Sequence, residues 1–167
     1  MLVKMSVSGL TIDPYSNSPI MILKEDNGER SLPIWIGLLE ATAIASELEK
    51  VKFARPMTHD LLRNVIETFE VKVEKVEVCD LRENTFYAFI HMTGENKRLK
   101  LDARPSDAIA LALRAEAPIF VNEEVFEKSA RVDLGGQAQE MVKDKEAKKW
   151  TEILEGLSPE DFGKYKM

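Results

Sequence analysis

An internal repeat is the feature of this sequence that most restricts the folds open to it. Residues 19–49 align with residues 86–116 without a gap, and most differences between the two blocks keep the character of the side chain. Each block has the pattern of two strands followed by a helix. A strand-turn-strand-helix unit rich in Leu and Ala can also align this well by chance, and that alternative stays open. The identical pairs are Leu32 and Leu99, Ala41 and Ala108, Ala43 and Ala110, Ala45 and Ala112, and Glu49 and Glu116.

The segment ahead of each block predicts a third strand that contains a bulge. Apolar residues lie at positions 5, 7, 10 and 12 in the first copy and at 71, 73, 76 and 78 in the second. A change from odd to even positions is expected where a β-bulge adds one residue to a strand. We therefore predict a duplicated unit of three strands and one helix, with a further helix inserted between the copies.

The periodicity of apolar residues predicts an α+β fold. Strands are expected at 2–13, 18–26, 29–36, 71–81, 84–93 and 96–102, and helices at 38–53, 56–70 and 105–116. A short strand at 119–121 and a helical turn at 123–128 follow. The turns at 26–28 and 93–96 suit hairpins, so neighbouring strands should be antiparallel. The prediction is a mixed, largely antiparallel sheet with helices packed on it.

A change of pattern near residue 130 divides the chain into two parts. Residues 1–130 are predicted to form one core domain, and residues 131–167 a C-terminal helical appendage. Gly135-Gly136 interrupts the appendage, and a charged run at 143–149 leads into Trp150. The apolar positions from Trp150 onward predict a peripheral helix that ends at Gly156.

The net charge of −6 excludes the class of proteins that bind nucleic acid nonspecifically through a surface that is basic overall. Any contact with nucleic acid must therefore be local. No apolar run approaches the roughly 20 residues that cross a bilayer, so a cytoplasmic location without a membrane partner is expected. The single cysteine, Cys79, fits a packing residue of a strand better than a thiol nucleophile. The high Lys and Glu content favours a heat-adapted source.

Two of the predicted helices begin with the tripeptide Ala-Arg-Pro. Residues 54–60 read Ala-Arg-Pro-Met-Thr-His-Asp, and residues 103–107 read Ala-Arg-Pro-Ser-Asp. Proline suits the first helical position, and acids in the first turn face the positive end of the helix dipole. Helix capping alone explains these residues. An arginine beside free backbone N–H groups also offers a grip for a phosphate, so both interpretations stay open.

Longer motifs resemble the bifunctional nuclease domain family over residues 1–128, and they occur in the order of that family. The resemblance implies a nuclease acting on RNA, DNA or both, as plant members are described. It supplies no catalytic residues, so the site is predicted from side-chain chemistry. The motifs are Leu32-Pro33-Ile34-Trp35-Ile36-Gly37 with Glu40-Ala41, Arg55-Pro56-Met57-Thr58-His59-Asp60-Leu61, Leu101-Asp102-Ala103-Arg104-Pro105-Ser106-Asp107-Ala108-Ile109-Ala110, and Ala117-Pro118-Ile119-Phe120-Val121.

Cleavage of a phosphodiester needs an activated water, neutralisation of the phosphate charge and help for the leaving oxygen. His59 is predicted to act as base or acid, and Asp60 to orient it or to join a metal. Asp107 completes the predicted catalytic residues. The predicted phosphate-binding residues are Arg55, Arg104 and Ser106.

Carboxylates near the two helix starts predict a divalent metal. Glu40, Asp102 and Asp107 offer the hard oxygen ligands that Mg²⁺ or Mn²⁺ prefers. Glu40 and Asp107 occupy equivalent places in the repeat, so pseudo-symmetric packing would bring two acidic helix starts together.

Each of these roles has a structural alternative. Glu40, Asp60 and Asp107 also suit the first turn of a helix, and the arginines could lock helix ends by pairing with acids. The alternative function is a noncatalytic module that binds a phosphate-bearing ligand or a protein partner, and the acidic surface favours it. A homodimer is expected, because sheets built from hairpins leave edges and apolar faces that need cover.

Overall fold

Two three-stranded units, each followed by a helix, make up most of the structure, a computed structural model that describes residues 1–131. The first unit contains β1 (Leu2–Ile12), β2 (Pro19–Glu25), β3 (Ser31–Trp35) and α1 (Leu38–Leu48). Helix α2 (Thr58–Thr68) comes next in sequence. The second unit contains β4 (Lys72–Arg82), β5 (Thr85–Gly94), β6 (Lys97–Ala103) and α3 (Pro105–Ala115). A short strand, β7 (Ile119–Asn122), and α4 (Glu123–Arg131) follow.

The strands form one sheet in the order β3-β2-β1-β7-β4-β5-β6. β7 joins the two units, because it pairs antiparallel with β1 and parallel with β4. The pairs within each unit are antiparallel. The predicted α+β class with a mixed, largely antiparallel sheet is therefore confirmed. Both predicted hairpin turns are present: Gly28 has a φ of 78°, and Gly94 pairs with Lys97 across a short turn.

Bulges interrupt the first strand of each unit where the apolar pattern changes. The register of β1 against β2 shifts between Val7 and Gly9. The register of β4 against β5 shifts between Val73 and Lys75, and again between Val78 and Asp80. The shift after Val7 in β1 and the shift after Val73 in β4 lie at equivalent places in the repeat. The bulges are thus confirmed, whereas the duplication of the whole unit stays a prediction.

The helices end earlier than the periodicity predicted. α1 stops at Leu48 instead of residue 53, and α2 stops at Thr68 instead of residue 70. A residue shortly after each of the three long helices is left-handed: Lys50 (φ 54°), Glu70 (φ 56°) and Glu116 (φ 53°). Glycine usually occupies such a position. Because these three residues are not glycine, the sequence gives no signal for the ends of the helices. α4 is longer than the helical turn that was predicted.

The core lies between the sheet and the helices α1 and α3. α1 packs on β1 and β2, α3 packs on β4 and β5, and the two helices contact each other. Ala41 and Ala45 of α1 and Ala108 and Ala112 of α3 are almost completely buried. Alanines at a helix contact allow a short distance between the axes, because that distance depends on the side chains between them. The starts of α1 and α3 are therefore neighbours.

Arg114 of α3 joins three helices through one buried guanidinium. Its side chain is only 3% exposed. Nε donates to Asp60 Oδ1 of α2 over 2.6 Å, and Nη2 donates to the carbonyl oxygen of Ala43 in α1 over 2.9 Å. Nη1 donates to the carbonyl oxygen of Ala110 within α3. α2 itself has no fully buried residue, so polar contacts such as this ion pair contribute to its attachment to α3.

The predicted appendage beyond Arg131, including its helix from Trp150, lies outside the described residues. Within residues 1–131, no helix has both the length and the apolar character needed to span a membrane. The cytoplasmic location and the heat-adapted source stay predictions.

We expect Arg114→Met to reduce the free energy of unfolding by about 3 kcal/mol, because removing one partner of a buried ion pair leaves the other uncompensated. Methionine keeps much of the apolar stem, so the loss reports on the guanidinium. Urea unfolding followed by circular dichroism measures it. The control is Lys4→Met, which removes an exposed pair with Asp26 at 3.2 Å and should cost less than about 1 kcal/mol. Equal losses in the two variants would contradict the role given to Arg114.

Candidate functional site

The starts of α1 and α3 are bridged by the guanidinium of Arg104. Nε donates to Asp107 Oδ2 over 2.8 Å, and Nη1 donates to Glu40 Oε1 over 2.7 Å. Arg104 directly precedes α3, and Glu40 lies in the first turn of α1. The two acidic helix starts therefore meet, with a cation held between their carboxylates.

Gly37 makes room for the Glu40 carboxylate at the start of α1. Its carbonyl oxygen accepts the first helical hydrogen bond, from the backbone N–H of Ala41. A Cβ at position 37 would collide with the carboxylate of Glu40. A larger residue at position 37 would therefore require the Glu40 carboxylate to move away from the helix start.

His59 binds the second oxygen of the Asp107 carboxylate. It lies in the first turn of α2, and its Nε2 is 3.0 Å from Asp107 Oδ1. An ionised carboxylate only accepts hydrogen bonds, so in the neutral ring Nε2 carries the proton and Nδ1 keeps its lone pair. Within residues 1–131, no hydrogen bond to Nδ1 is recorded. The carboxylate thus orients the imidazole so that Nδ1 is able to accept a proton.

Asp107 is held in its ionised form by these two donors. Partial burial of the carboxyl opposes ionisation, but the hydrogen bonds from Arg104 and His59 outweigh it, and the pKa of Asp107 lies below its ordinary value. The stabilisation from this depressed pKa is present above the ordinary carboxyl pKa and is lost as the pH falls through the folded value. At neutral pH the group is an acceptor for both neighbours.

The first turn of α3 leaves polar groups without partners. Arg104 precedes the helix without a side-chain capping bond, and Pro105 occupies the first position. Ser106 is 6% exposed as a residue. Its hydroxyl has no hydrogen bond to another described residue, and it is not among the completely buried unpartnered atoms of residues 1–131, so it stays accessible to water or a ligand. Together with the free N–H groups at the helix start, it forms a site suited to an anion.

Arg104 and Ser106 also line a cleft of about 360 Å³. The end of β3 with Trp35 forms one side of this cleft, and residues 84–86 at the start of β5 form another. The cleft is therefore built from both three-stranded units and opens beside the start of α3.

Three residues of the predicted site lie elsewhere. Asp60 accepts hydrogen bonds from the backbone N–H of Met57 over 2.8 Å and from Arg114, which favours a structural role. Its pKa is lowered because these bonds outweigh the effect of burial. Arg55 is exposed between α1 and α2, with no ion pair recorded in the described part of the chain. Asp102 is exposed on β6, opposite Phe89.

The predicted metal ligands do not form one cluster. In residues 1–131, no group of three or more His, Cys, Asp or Glu side chains is placed to hold a metal ion. Glu40 and Asp107 approach each other, but the guanidinium of Arg104 lies between them. The donor set of Glu40, Asp102 and Asp107 is thus not assembled, and metal assistance stays a prediction.

Sequence reasoning missed Arg114 and the walls of the cleft. Arg114 had a signal, because it is a single charged residue in the apolar run of α3. Trp35 lies in one of the motifs that resemble the family, and the structure places it at the cleft, with Nε1 donating to Asp13 Oδ2 over 3.0 Å. Asn84 and Phe86 had no signal, because they are far from Trp35 in the sequence and four strands separate β5 from β3 in the sheet, yet all three residues line the same cleft.

Comparison with known proteins gives consistent matches over this region. The sequence model of the bifunctional nuclease domain matches residues 21–133, which contain Glu40, His59, Arg104, Ser106 and Asp107. An uncharacterised protein of Mycobacterium tuberculosis is 40% identical over 159 residues, covering 93% of this chain and 95% of that protein. Bifunctional nuclease 1 of Arabidopsis thaliana is 28% identical over 113 residues, and its rice counterpart, from Oryza sativa subsp. japonica, 24% identical over 116. These matches cover 65% and 68% of this chain but only 35% of each plant protein.

We expect Arg104→Met to raise the pKa of Asp107 toward its ordinary value, because one of the two donors that oppose the effect of burial is removed. NMR titration of the side-chain carboxyl carbons measures this shift. Asp80 serves as an internal reference, since Lys128 and Arg82 lower its pKa to about 2 and neither contacts Arg104. An unchanged titration of Asp107 in this variant would contradict the electrostatic role of Arg104.

Proposed function

Because the chain belongs to the bifunctional nuclease domain family, we propose that it hydrolyses phosphodiester bonds of RNA or DNA at the start of α3. The observation that carries this proposal is the 3.0 Å contact between His59 Nε2 and Asp107 Oδ1, beside the guanidinium of Arg104. A base, a group that orients it and a phosphate-binding cation are the parts that such a reaction requires.

His59 is the general base of the proposed reaction. Nδ1 takes a proton from water, the water oxygen forms a bond to phosphorus, and the bond from phosphorus to the leaving sugar oxygen breaks. The leaving oxygen then receives a proton from the imidazolium or from solvent. Asp107 accepts the Nε2–H hydrogen bond throughout, so it holds the ring in the required tautomer and stabilises its charged form.

The phosphate is bound by groups at the start of α3. Arg104 is 65% exposed in its side chain, so its guanidinium can donate to a ligand while it keeps its bonds to the two carboxylates. The hydroxyl of Ser106 and the free backbone N–H groups of the first turn supply further donors. These donors are directional, which suits a chain whose overall charge is negative.

A divalent metal was predicted from the sequence, and its proposed ligands are Glu40, Asp102 and Asp107. No step of the reaction above depends on it, because these side chains are not assembled around one point in the described structure. If Mg²⁺ or Mn²⁺ is required, it would add charge neutralisation on the phosphate.

We also propose that the chain forms a homodimer through α2 and the helix surface next to it. α2 has no buried residue, and large contiguous apolar surfaces usually mark an interface. A second copy suits this surface because a twofold contact covers the same patch on both chains. The exposed large apolar residues of α1, of α2 and of the segments that follow each helix are Leu38, Leu39, Leu48, Val51, Phe53, Met57, Leu61, Leu62, Val65 and Phe69.

We expect His59→Gln to reduce the cleavage rate about 100-fold or more, since general base catalysis contributes on the order of 10²–10⁴. Single-turnover cleavage of labelled RNA and DNA oligonucleotides measures the rate. His91→Gln is the matched control, because His91 also binds a carboxylate, Glu77 at 2.9 Å, but alternates along β5 with the buried Ile90 and so lies on the face of the sheet opposite the core. Equal activity in both variants would contradict the role of His59.

The same assay separates the proposed nuclease from the noncatalytic alternative. Cleavage that EDTA abolishes and Mg²⁺ or Mn²⁺ restores would support metal assistance, and cleavage that persists in EDTA would contradict it. Absence of cleavage under all conditions, with the wild-type chain fully folded, would favour a module that only binds a phosphate-bearing ligand.

We expect sedimentation equilibrium at micromolar concentration to give twice the mass of one chain. Leu61→Glu with Val65→Glu should give a monomer, because two carboxylates would have to be buried in the interface. The control is Tyr15→Glu, which changes an exposed aromatic residue in the loop after β1. A wild-type monomer would contradict the dimer, and a variant dimer would contradict its placement on α2.

A further inference from the structure

The cleft beside α3 has the size and the wall chemistry of a site for one nucleotide. Its volume of about 360 Å³ lies within the roughly 300–1,000 Å³ that ligand pockets occupy. The bond from Trp35 Nε1 to Asp13 Oδ2 fixes the position of the indole at one side. Phe86, which is half-buried, lines the cleft as well. Aromatic walls of this kind bind the faces of nucleobases.

A tight turn presents a polar side chain to the same cleft. Glu83 and Asn84 are both left-handed, with φ values of 47° and 60°, and they connect β4 to β5 in a two-residue hairpin. Asn84 lines the cleft, and its amide offers both donors and an acceptor. An amide at this position can bind the edge of a base whose face packs on an aromatic ring.

Two further residues make the cleft suited to an anion. Arg104 and Ser106 line it, and the Ser106 hydroxyl, which has no hydrogen bond to another described residue, is accessible to a ligand. A phosphate bound there would accept a hydrogen bond from this hydroxyl. The cleft therefore combines phosphate-binding groups with aromatic side chains.

We propose that this cleft binds one nucleotide unit of the substrate, with the phosphate at Arg104 and Ser106 and the base against Trp35 and Phe86. The proposal rests on the proposed nuclease function for its biological meaning, and it adds the substrate class. A base that enters the cleft cannot remain stacked and paired in a duplex, and extruding it costs free energy. The substrate is therefore single-stranded nucleic acid.

Binding of mononucleotides tests the cleft without any turnover. The full chain carrying Trp150→Phe has Trp35 as its remaining tryptophan, so its fluorescence reports on the cleft. We expect AMP or UMP to change this fluorescence in a saturable manner. Calorimetry should show that the nucleotide binds about tenfold or more tightly than inorganic phosphate or the nucleoside alone, because each of these occupies only one end.

Three variants locate the binding. Phe86→Leu should weaken nucleotide binding about fivefold or more and leave phosphate binding unchanged, because the variant loses the ring but keeps an apolar side chain. Ser106→Ala should weaken both ligands. Tyr87→Leu is the matched control, since Tyr87 is the next residue of β5 and neighbouring strand residues point to opposite faces. Equal effects of Phe86→Leu and Tyr87→Leu would overturn the proposal.

The outcomes separate the cleft from the nuclease proposal. Phosphate that binds as tightly as AMP, or AMP that does not bind at all, overturns the nucleotide cleft even if oligonucleotides are cleaved. AMP binding that depends on Phe86 supports the cleft even if no oligonucleotide is cleaved. Among cleaved substrates, a duplex that reacts as fast as its single strands would contradict the single-strand preference.

Discussion

The buried guanidinium of Arg114 is the interaction on which the arrangement of the helices depends. α2 has no buried side chain, so hydrophobic burial holds it only weakly against the core. Arg114 binds Asp60 at the start of α2 and a carbonyl oxygen of α1 at the same time. Because a buried arginine must have partners for its donors, this geometry admits few other placements of α2. The position of His59, the neighbour of Asp60, follows from it.

Two contacts between the same helices then fix the orientation of α2. Asp60 binds Arg114, while His59 binds Asp107, which lies seven residues or about two turns earlier on α3. Consecutive residues of a helix point in directions about 100° apart, so they can reach two separate points on a crossing helix. The Asp60 pair is structural and the His59 pair carries the proposed chemistry, yet both depend on the same crossing.

Local patterns predicted the elements of the fold, and long-range pairing determined the site. The switch of apolar positions around Val7 and Val73 predicted both bulges, because a bulge changes which face each residue occupies. The predicted end of α1 was wrong, because the chain leaves the helix at Lys50 in a left-handed conformation that usually requires glycine, and no glycine marks this position in the sequence. The residue types around Arg104 indicated a phosphate or metal site, and the alternative that arginines lock helix ends by pairing with acids agrees with the bond from Arg104 to Asp107. The sequence did not indicate that Glu40 would be the second partner of Arg104. That outcome depends on the close contact of α1 with α3.

The charge of the site restricts how this acidic chain could bind the polyanion of the proposed function. Glu40 and Asp107 carry two negative charges beside the single positive charge of Arg104, so the cluster as a whole does not attract phosphate over a distance. Attraction must come from donors that are aimed at one point: the guanidinium, the Ser106 hydroxyl and the helix start. Such donors act over short distances, so affinity has to be supplemented by contacts to another part of the substrate. In the proposed nucleotide site, Trp35 and Phe86 would provide these contacts, which would link the acidity of this protein to recognition of the base.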